Sequence, residues 1–144
     1  MKPLQATKAA IAMNPQTIAS ATVNGTAIDT LGYNALHISF QVGATTGVIS
    51  VLKLQHATDS GFTTPVDISG STPSALPGAT DDNKVWCTWE VPINGTYGRY
   101  IRVVATENAT GSGIYSALAT LSQAAEMPNT ATERGVSYVV NLYT

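Results

Sequence analysis

The residues that carry out chemistry in enzymes are few in this sequence and lie far apart. Its two histidines are His37 and His56. They lie on neighbouring predicted strands and could hold a metal ion between them, but no third ligand follows at a matching spacing. Asp81, Asp82 and Asn83 lack the spacing of a calcium-binding loop, and turn formation explains them better. No phosphate-binding glycine loop and no nucleophile motif occurs. The sequence therefore predicts a protein that is not an enzyme and that binds no metal and no cofactor.

Aromatic side chains are the second candidate site, because they can act as stacking platforms for a sugar. Trp86, Trp89, Tyr97 and Tyr100 lie close together in the sequence. Period-two alternation places Trp89 in the core and Trp86 on the opposite, exposed face. One exposed tryptophan more often marks a protein interface than a sugar site. Trp86 is therefore predicted to contact a partner protein, with carbohydrate binding as the alternative.

Composition limits the partners. The chain has 144 residues, a net charge of −2 and only 11% charged residues, so no basic patch favours a nucleic-acid partner. No run of about 18 apolar residues predicts a membrane span, and no secretory signal is visible, so we expect a protein made in a cytoplasm and not secreted. The one cysteine, Cys87, excludes an intrachain disulfide and is predicted to be a small buried side chain.

The clearest structural pattern lies in residues 35–42. Apolar side chains alternate there with polar ones, at Leu36, Ile38, Phe40 and Val42. This period of two is typical of a strand with one buried face. A connection with a glycine at each end, residues 43–47, and a second apolar run, residues 48–56, follow. The pattern predicts a central antiparallel hairpin.

Further short strands are predicted along the chain. They cover residues 17–23, 26–29, 66–68, 84–91, 99–107 and 114–123. Turn residues separate them, and no helical pattern occurs. We therefore expect an all-β fold, an antiparallel β-sandwich of about 7–8 strands with jelly-roll or immunoglobulin-like topology. Residues 57–83, rich in Pro and Gly, are predicted as a long loop.

Both ends of the chain differ from the predicted sandwich domain, residues 17–123. Residues 1–16 are predicted to form an extended arm, and residues 124–144 a linker followed by a strong strand, residues 136–143. That strand either returns to the edge of its own sheet or adds to the sheet of a neighbour. The apolar residues of the two end segments are predicted partner contacts: Leu4, Ile11, Met13, Val136, Tyr138, Val140 and Leu142.

Three short segments carry a family resemblance. They read Ile-Asp-Thr-Leu-Gly-Tyr-Asn at residues 28–34, Leu-Lys-Leu-Gln-His-Ala-Thr-Asp at residues 52–59, and Gly-Arg-Tyr-Ile-Arg-Val-Val at residues 98–104. In these segments, and over about residues 28–119, the chain resembles small structural proteins of tailed bacteriophages. The resemblance implies a virion component, and more specifically a capsid decoration (cement) protein.

The resemblance also implies a location and partners. Cement proteins are compact β-domains that sit as trimers on the outer shell and reinforce the joints between capsomers. We therefore expect a homo-oligomer, with a trimer favoured, which binds the major capsid protein on the capsid surface of the virion. A head–tail joint or tail protein is the alternative within this family. No catalytic residue is carried over, because none of the matched segments is a site.

Overall fold

The computed structural model describes residues 7–108 and 110–123, and it confirms an all-β antiparallel sandwich. Within these residues no helix is long and apolar enough to cross a membrane. Nine strands form: β1 (Lys8–Ile18), β2 (Thr22–Asn24), β3 (Ile28–Asp29), β4 (Ala35–Thr45), β5 (Ile49–Ala57), β6 (Val66–Asp67), β7 (Lys84–Pro92), β8 (Tyr100–Glu107) and β9 (Gly113–Ser122).

The strands form two sheets with jelly-roll topology. Sheet A has the order β1-β9-β4-β7, and sheet B has the order β2-β8-β5-β6. Strand β3 also pairs with β8, so β2 and β3 act as one interrupted strand. The first strand therefore lies beside the last in one sheet, and the second beside the next-to-last in the other. Every connection except those between β2 and β3 and between β5 and β6 crosses from sheet to sheet, as in a jelly roll.

The core lies between the sheets, where the predicted inward faces meet. All four alternating apolar residues of β4, from Leu36 to Val42, are buried. The inward residues of β8 and β9 face them and are buried as well: Ile101, Val103, Ala105, Tyr115, Ala117, Ala119 and Leu121. At the centre, the rings of Phe40 and Tyr115 stack with centroids 5.8 Å apart. The core is therefore continuous across both sheets.

The predicted central hairpin is wrong. Strand β4 pairs with β7 and β9, whereas β5 pairs with β6 and β8 in the other sheet. The connection between them crosses the end of the sandwich, where the amides of Thr46 and Gly47 donate to the carbonyl of Ser112. Alternation identifies the buried face of a strand but not its partner, so it could not distinguish a hairpin from this crossing.

The predicted arm boundary after residue 16 lies inside β1. This strand pairs with β9 along its length, and Ala12 and Met13 are buried in the core. Register shifts on both sides of Met13 break the alternation, and Pro15 is tolerated because β1 is an edge strand. These irregularities hid the strand in the sequence. The predicted strand 17–23 is correspondingly divided between β1 and β2.

The long segment between β5 and β7 closes one side of the sandwich. It contains β6, which confirms the short strand predicted at residues 66–68. Further along, the carbonyl of Pro77 accepts a hydrogen bond from Ile49 of sheet B, and the amide of Asn83 donates to Gly43 of sheet A. On the other side, the amide of Thr26 donates to the carbonyl of Ala12. Both sides of the sandwich are thus tied between the sheets.

Candidate functional site

The two histidines do not form a site together. His37 lies exposed on the outer face of sheet A, whereas His56 belongs to sheet B. The Nδ1 atom of His56 accepts a hydrogen bond from the Gly98 amide at 3.0 Å, and its ring lies against Tyr97. Among residues 7–108 and 110–123, no group of three His, Cys, Asp or Glu side chains could hold a metal ion. His56 has a structural role at the end of a strand.

The loop acids stabilise turns. Asp81 accepts hydrogen bonds from the Gly78 amide at 2.7 Å and from Lys84 Nζ at 3.0 Å, and these two contacts, the backbone one first, lower the pKa of its carboxyl. Asp82 accepts a hydrogen bond from the amide of Thr45. Their partners are groups of this chain, so the acidic run braces the loop against sheet A.

A β-bulge places Trp86 differently from the prediction. Phe40 faces Cys87 and the next residue of β4, Gln41, faces Val85, so β7 contains one extra residue there. Trp86 therefore packs half-buried against the core, and its Nε1 donates to the Ala75 carbonyl at 3.0 Å. The expectation of an exposed Trp86 on the outer face is wrong. Val85 takes that position instead, 58% exposed.

The other two side chains of this region follow the prediction more closely. Trp89 packs against the core, and its Nε1 donates to the Ser71 carbonyl at 2.6 Å. Burial raises the pKa of the Cys87 thiol to about 11, so the thiolate is disfavoured at neutral pH. The half-buried Cys87 side chain packs against the core.

The outer face of sheet A carries exposed aliphatic side chains. Ile11 on β1 is 51% exposed and lies opposite Leu118 on β9, which is 45% exposed. Ile114, four residues and therefore two pleat repeats away on β9, is also 45% exposed. With Val85 on β7, these residues are spread over three of the four strands. The remaining outward side chains are mostly small and polar: Ser39, Gln41, Thr88, Ser116 and Thr120.

Ionisable groups are almost absent from this face. Its two ionisable strand residues are His37 and Glu90, which lie directly opposite each other at one end of the sheet. A shallow depression of about 530 Å³ lies there, lined by residues that include both of them together with Asn34, Pro92 and Gln123. The face is therefore flat, weakly polar and nearly uncharged, which favours contact with another protein surface.

The outer face of sheet B carries long charged and polar side chains beside the exposed Val51. Lys53 Nζ lies 2.6 Å from Asp67, and Gln55 Nε2 donates to the same carboxylate. Arg102 donates to Gln55 Oε1 at 2.8 Å, and its guanidinium lies 4.3 Å from the centroid of the Phe62 ring. These five side chains form one connected network, which we call the sheet B network. The hydrogen bonds, Lys53 first, lower the pKa of Asp67.

A second ion pair lies at the edge of the same face. Arg99 binds Asp29 through both carboxylate oxygens, at 2.7 and 2.8 Å. The guanidinium also lies near the ring of Tyr100. The hydrogen bonds from Arg99 hold the pKa of Asp29 below its usual value. The polar groups of sheet B thus find their partners within this chain.

The predicted partner contacts fall into three groups. Ile11 lies exposed on the outer face of sheet A, as a contact residue would. Met13 is 1% exposed in the core, so its prediction as a partner contact is wrong. Trp86 belongs with Met13, since it packs half-buried against the core. The remaining five lie outside the described residues: Leu4, Val136, Tyr138, Val140 and Leu142. Ile114, Leu118 and Val85 were not predicted as contact residues. The alternation along β9 nevertheless places Ile114 and Leu118 on the exposed face of the strand, away from the face that carries the buried Tyr115.

A buried carboxylate at one end of the sandwich was also missed. Glu107 is 2% exposed, and its Oε2 accepts a hydrogen bond from the Ser20 amide at 2.6 Å. Among the described residues its Oε1 has no hydrogen-bond partner, and Gly47 lies so close that a Cβ there would clash with it. Glu107 joins the bend between β1 and β2 to the end of β8. It acts as a structural brace.

Comparison of the sequence with models of protein families and with curated proteins gives no match.

Proposed function

We propose that this protein is a structural component of a tailed-phage virion, a decoration protein that binds the major capsid protein through the outer face of sheet A. The observation that carries the proposal is the contrast between the two sheets. One outer face has few charged groups and carries several exposed aliphatic side chains, whereas the other has its polar groups paired internally. The phage-like segments at residues 28–34, 52–59 and 98–104 support the virion assignment.

The area of the outer face of sheet A indicates how strongly one copy of it can bind. Four strands at about 4.8 Å spacing and about 30 Å in length give a surface of roughly 600 Å². A stable interface takes about 800 Å² from each partner, so one copy of this face alone binds weakly. Additional contacts would come from several copies in one oligomer, a trimer in our proposal, and from the segment that contains Leu4. Linked weak contacts then add through effective concentration.

Reinforcement of a shell follows from such contacts. A protein bound across a joint between capsomers must be released, at least in part, before the joint opens. The binding free energy is therefore added to the cost of opening. Because hydrophobic contacts carry it in this proposal, added salt should not weaken it, in contrast to a charge-driven interaction.

The structure gives less support to the alternative of a sugar-binding module. That alternative depended on an exposed Trp86, but this indole packs against the core and its N–H is bound to Ala75. No tryptophan of the described residues lies on the outer face of sheet A, which leaves this face better suited to a protein than to a sugar.

The test measures binding to purified heads that lack this protein. Leu118→Asp places a charge at the centre of the outer face of sheet A and should lower the bound copies by at least about tenfold, since central interface residues dominate binding. Val51→Asp is the matched control, because Val51 is 36% exposed and pairs with Thr106 on sheet B. Its binding should stay unchanged.

Three results would count against the proposal. Equal binding of wild type and Leu118→Asp would exclude the outer face of sheet A as the contact. Equal loss of head binding in Leu118→Asp and Val51→Asp would mean that the loss does not depend on which sheet carries the added charge. Binding of the wild type to tails or to the head–tail joint, and not to heads, would move the protein to another part of the virion. Circular dichroism of each variant shows whether it is folded.

A further inference from the structure

We propose that Asn94 is a site of spontaneous deamidation, in which Gly95 supplies the attacking nitrogen. The proposal does not depend on what the outer face of sheet A binds. It rests on a comparison within the chain, because Asn-Gly-Thr occurs twice, at residues 24–26 and at residues 94–96, each time after a β-branched aliphatic residue. Since the local sequences match, a difference in reactivity between the two copies must arise from the fold.

The reaction converts a side-chain amide into a carboxylate. The backbone nitrogen of the glycine loses its proton to a base and forms a bond to Cγ of the asparagine. The bond from Cγ to the side-chain nitrogen breaks, and that nitrogen leaves as ammonia. Water then opens the cyclic imide at either of its carbonyls, which gives aspartate or isoaspartate. No electron is transferred, and either product carries a negative charge that asparagine lacks.

The second copy of Asn-Gly-Thr lies in an exposed bend. Asn94, Gly95 and Thr96 follow the end of β7, and all three are exposed. Gly95 has a φ of +87°, and a Cβ built on it would meet no atom of the described residues within 4 Å apart from its chain neighbours. The backbone there has room to rotate, and the lack of a Cβ lets the Gly95 nitrogen approach the preceding side chain.

A hydrogen bond holds the reacting groups of this bend together. The amide N–H of Thr96 donates to Oδ1 of Asn94 at 3.2 Å. The ring that this bond closes contains both Cγ of Asn94 and the nitrogen of Gly95, which are the two atoms that must join. The oxygen that accepts the bond also becomes negative when the nitrogen attacks, and a donor aimed at it stabilises that charge.

The first copy of Asn-Gly-Thr is held in a strand. Asn24 is the last residue of β2 and pairs with Val104 of β8. The amide of Gly25 donates to the carbonyl of Val103 at 2.7 Å. The Asn24 side chain is exposed, as that of Asn94 is, so side-chain exposure does not distinguish the two copies. The difference lies in the glycine nitrogen, which is bound to sheet B in the first copy and belongs to a bend in the second.

The backbone around Gly25 is also fixed from the other sheet. The next amide, that of Thr26, donates to the carbonyl of Ala12 on β1 at 2.9 Å. A Cβ on Gly25 would clash with the same carbonyl, so the chain has no room to shift there. To react, Gly25 would have to give up its hydrogen bond to Val103, and this end of β2 would have to open. Deamidation at Asn24 therefore needs the kind of local opening that amide hydrogen exchange needs.

The product would lie at a defined place in the fold. The turn that contains Asn94 joins sheet A to sheet B, and the amide of Ile93 donates to the carbonyl of Asn34 at 2.9 Å. Pro92 and Asn34 line the depression at this end of sheet A. Deamidation thus adds a negative charge to the turn that borders this depression, and the protein should accumulate an acidic form as it ages.

Ageing of the full-length protein at mildly alkaline pH tests the proposal. Tandem mass spectrometry after trypsin cleavage follows each asparagine, since fragments 9–53 and 85–99 contain one copy of Asn-Gly-Thr each. In the native protein Asn94 should convert at least ~10-fold faster than Asn24, because local opening limits the rate at Asn24. The chain unfolded in guanidinium is the control, and there the two asparagines should convert at similar rates.

Two matched variants give a second measurement. Asn94→Gln keeps the amide, but its longer side chain would have to close a larger and less favourable ring. The acidic form seen by isoelectric focusing should therefore appear more slowly in this variant. Asn24→Gln makes the same change in the strand-bound copy, and there the acidic form should appear at the wild-type rate.

Three results would overturn the proposal. A smaller difference between the two asparagines of the native protein would show that the fold does not distinguish them. A rate at Asn94 at least ~10-fold below that of the unfolded chain would show that the bend protects it, as the strand protects Asn24. An acidic form that appears equally fast in Asn94→Gln would assign the charge to another residue. None of these measurements uses heads, so this test and the head-binding test fail separately.

Discussion

The outer faces of the two sheets have the same strand geometry but carry different kinds of side chain. On sheet B, the long polar side chains of β5, β6 and β8 pair with one another across the strands. On sheet A, short polar residues alternate with exposed aliphatic ones, and the hydrogen bond between Ser116 and Gln41 is a rare side-chain link. A jelly roll needs only its inner faces to fold. The outer faces are free to carry internally paired polar groups, as in sheet B, or exposed aliphatic side chains, as in sheet A, where we propose that a partner binds.

The largest expected effect concerns Cys87, which lies on the inner side of sheet A. Burial raises the pKa of the Cys87 thiol from 9.0 to about 11, which lowers the thiolate fraction about 100-fold at neutral pH. Because a thiolate of higher pKa is also more nucleophilic, alkylation of the native protein should be at least about tenfold slower than that of the denatured chain. Mass spectrometry over time measures both rates. Equal rates would show that β7 opens readily and that sheet A is loose as well as exposed.

A second test asks whether the sheet B network stabilises the fold. Arg102→Met removes the contact with Phe62 and the hydrogen bonds to Gln55, and should lower the free energy of unfolding by about 1–2 kcal/mol. Gln41→Met on sheet A, which loses one contact to Ser116, should change it by less than about 0.5 kcal/mol. Urea denaturation measures both. Similar losses in the two variants would remove the distinction between the faces.

The smallest effect is a pH dependence confined to sheet B. The pKa values of Asp29 and Asp67 are lowered by hydrogen bonds from Arg99 and Lys53, so their contribution is fully present above the ordinary carboxyl pKa of 3.8 and is lost as the pH falls through the lowered values. The variant with Asp29→Asn and Asp67→Asn should therefore lose less stability on acidification. We expect a difference of a few degrees in the thermal midpoint, since exposed pairs contribute little.

Salt provides the control for that titration. About 1 M NaCl screens exposed ion pairs, so the wild type in high salt should resemble the double variant in low salt. An acid-side decline of the same steepness in both proteins at low salt would show that Asp29 and Asp67 do not contribute to it.

The sequence predicted the faces of the strands well. The buried sides of β4, β8 and β9 follow the period of two residue by residue, and the class of fold follows from their number and spacing. The exposed side of β9, with Ile114 and Leu118, could have been found in the same way. Periodicity reports which side chains leave water, and this was enough to identify both the core and part of the candidate site.

Pairing and irregular strands could not be predicted. The connection after β4 contains residues that suit a hairpin, yet it crosses between the sheets, and its amides donate to the carbonyl of Ser112. A bulge at Trp86 and two register shifts around Met13 change the facing of side chains without any change in composition. Such features depend on contacts with distant residues, and a local pattern does not contain them.

The pairing of Lys8 with Leu121 has a practical consequence for protein engineering. The described chain begins and ends at the same pole of the sandwich, while Glu107 braces the opposite pole. A peptide fused directly to Thr7 or to Gln123, the first and last described residues, would therefore emerge at that one pole. If the outer face of sheet A rests on a capsid, both fusions would start level with the shell surface, and a displayed ligand would reach solvent only through a spacer longer than the domain is thick.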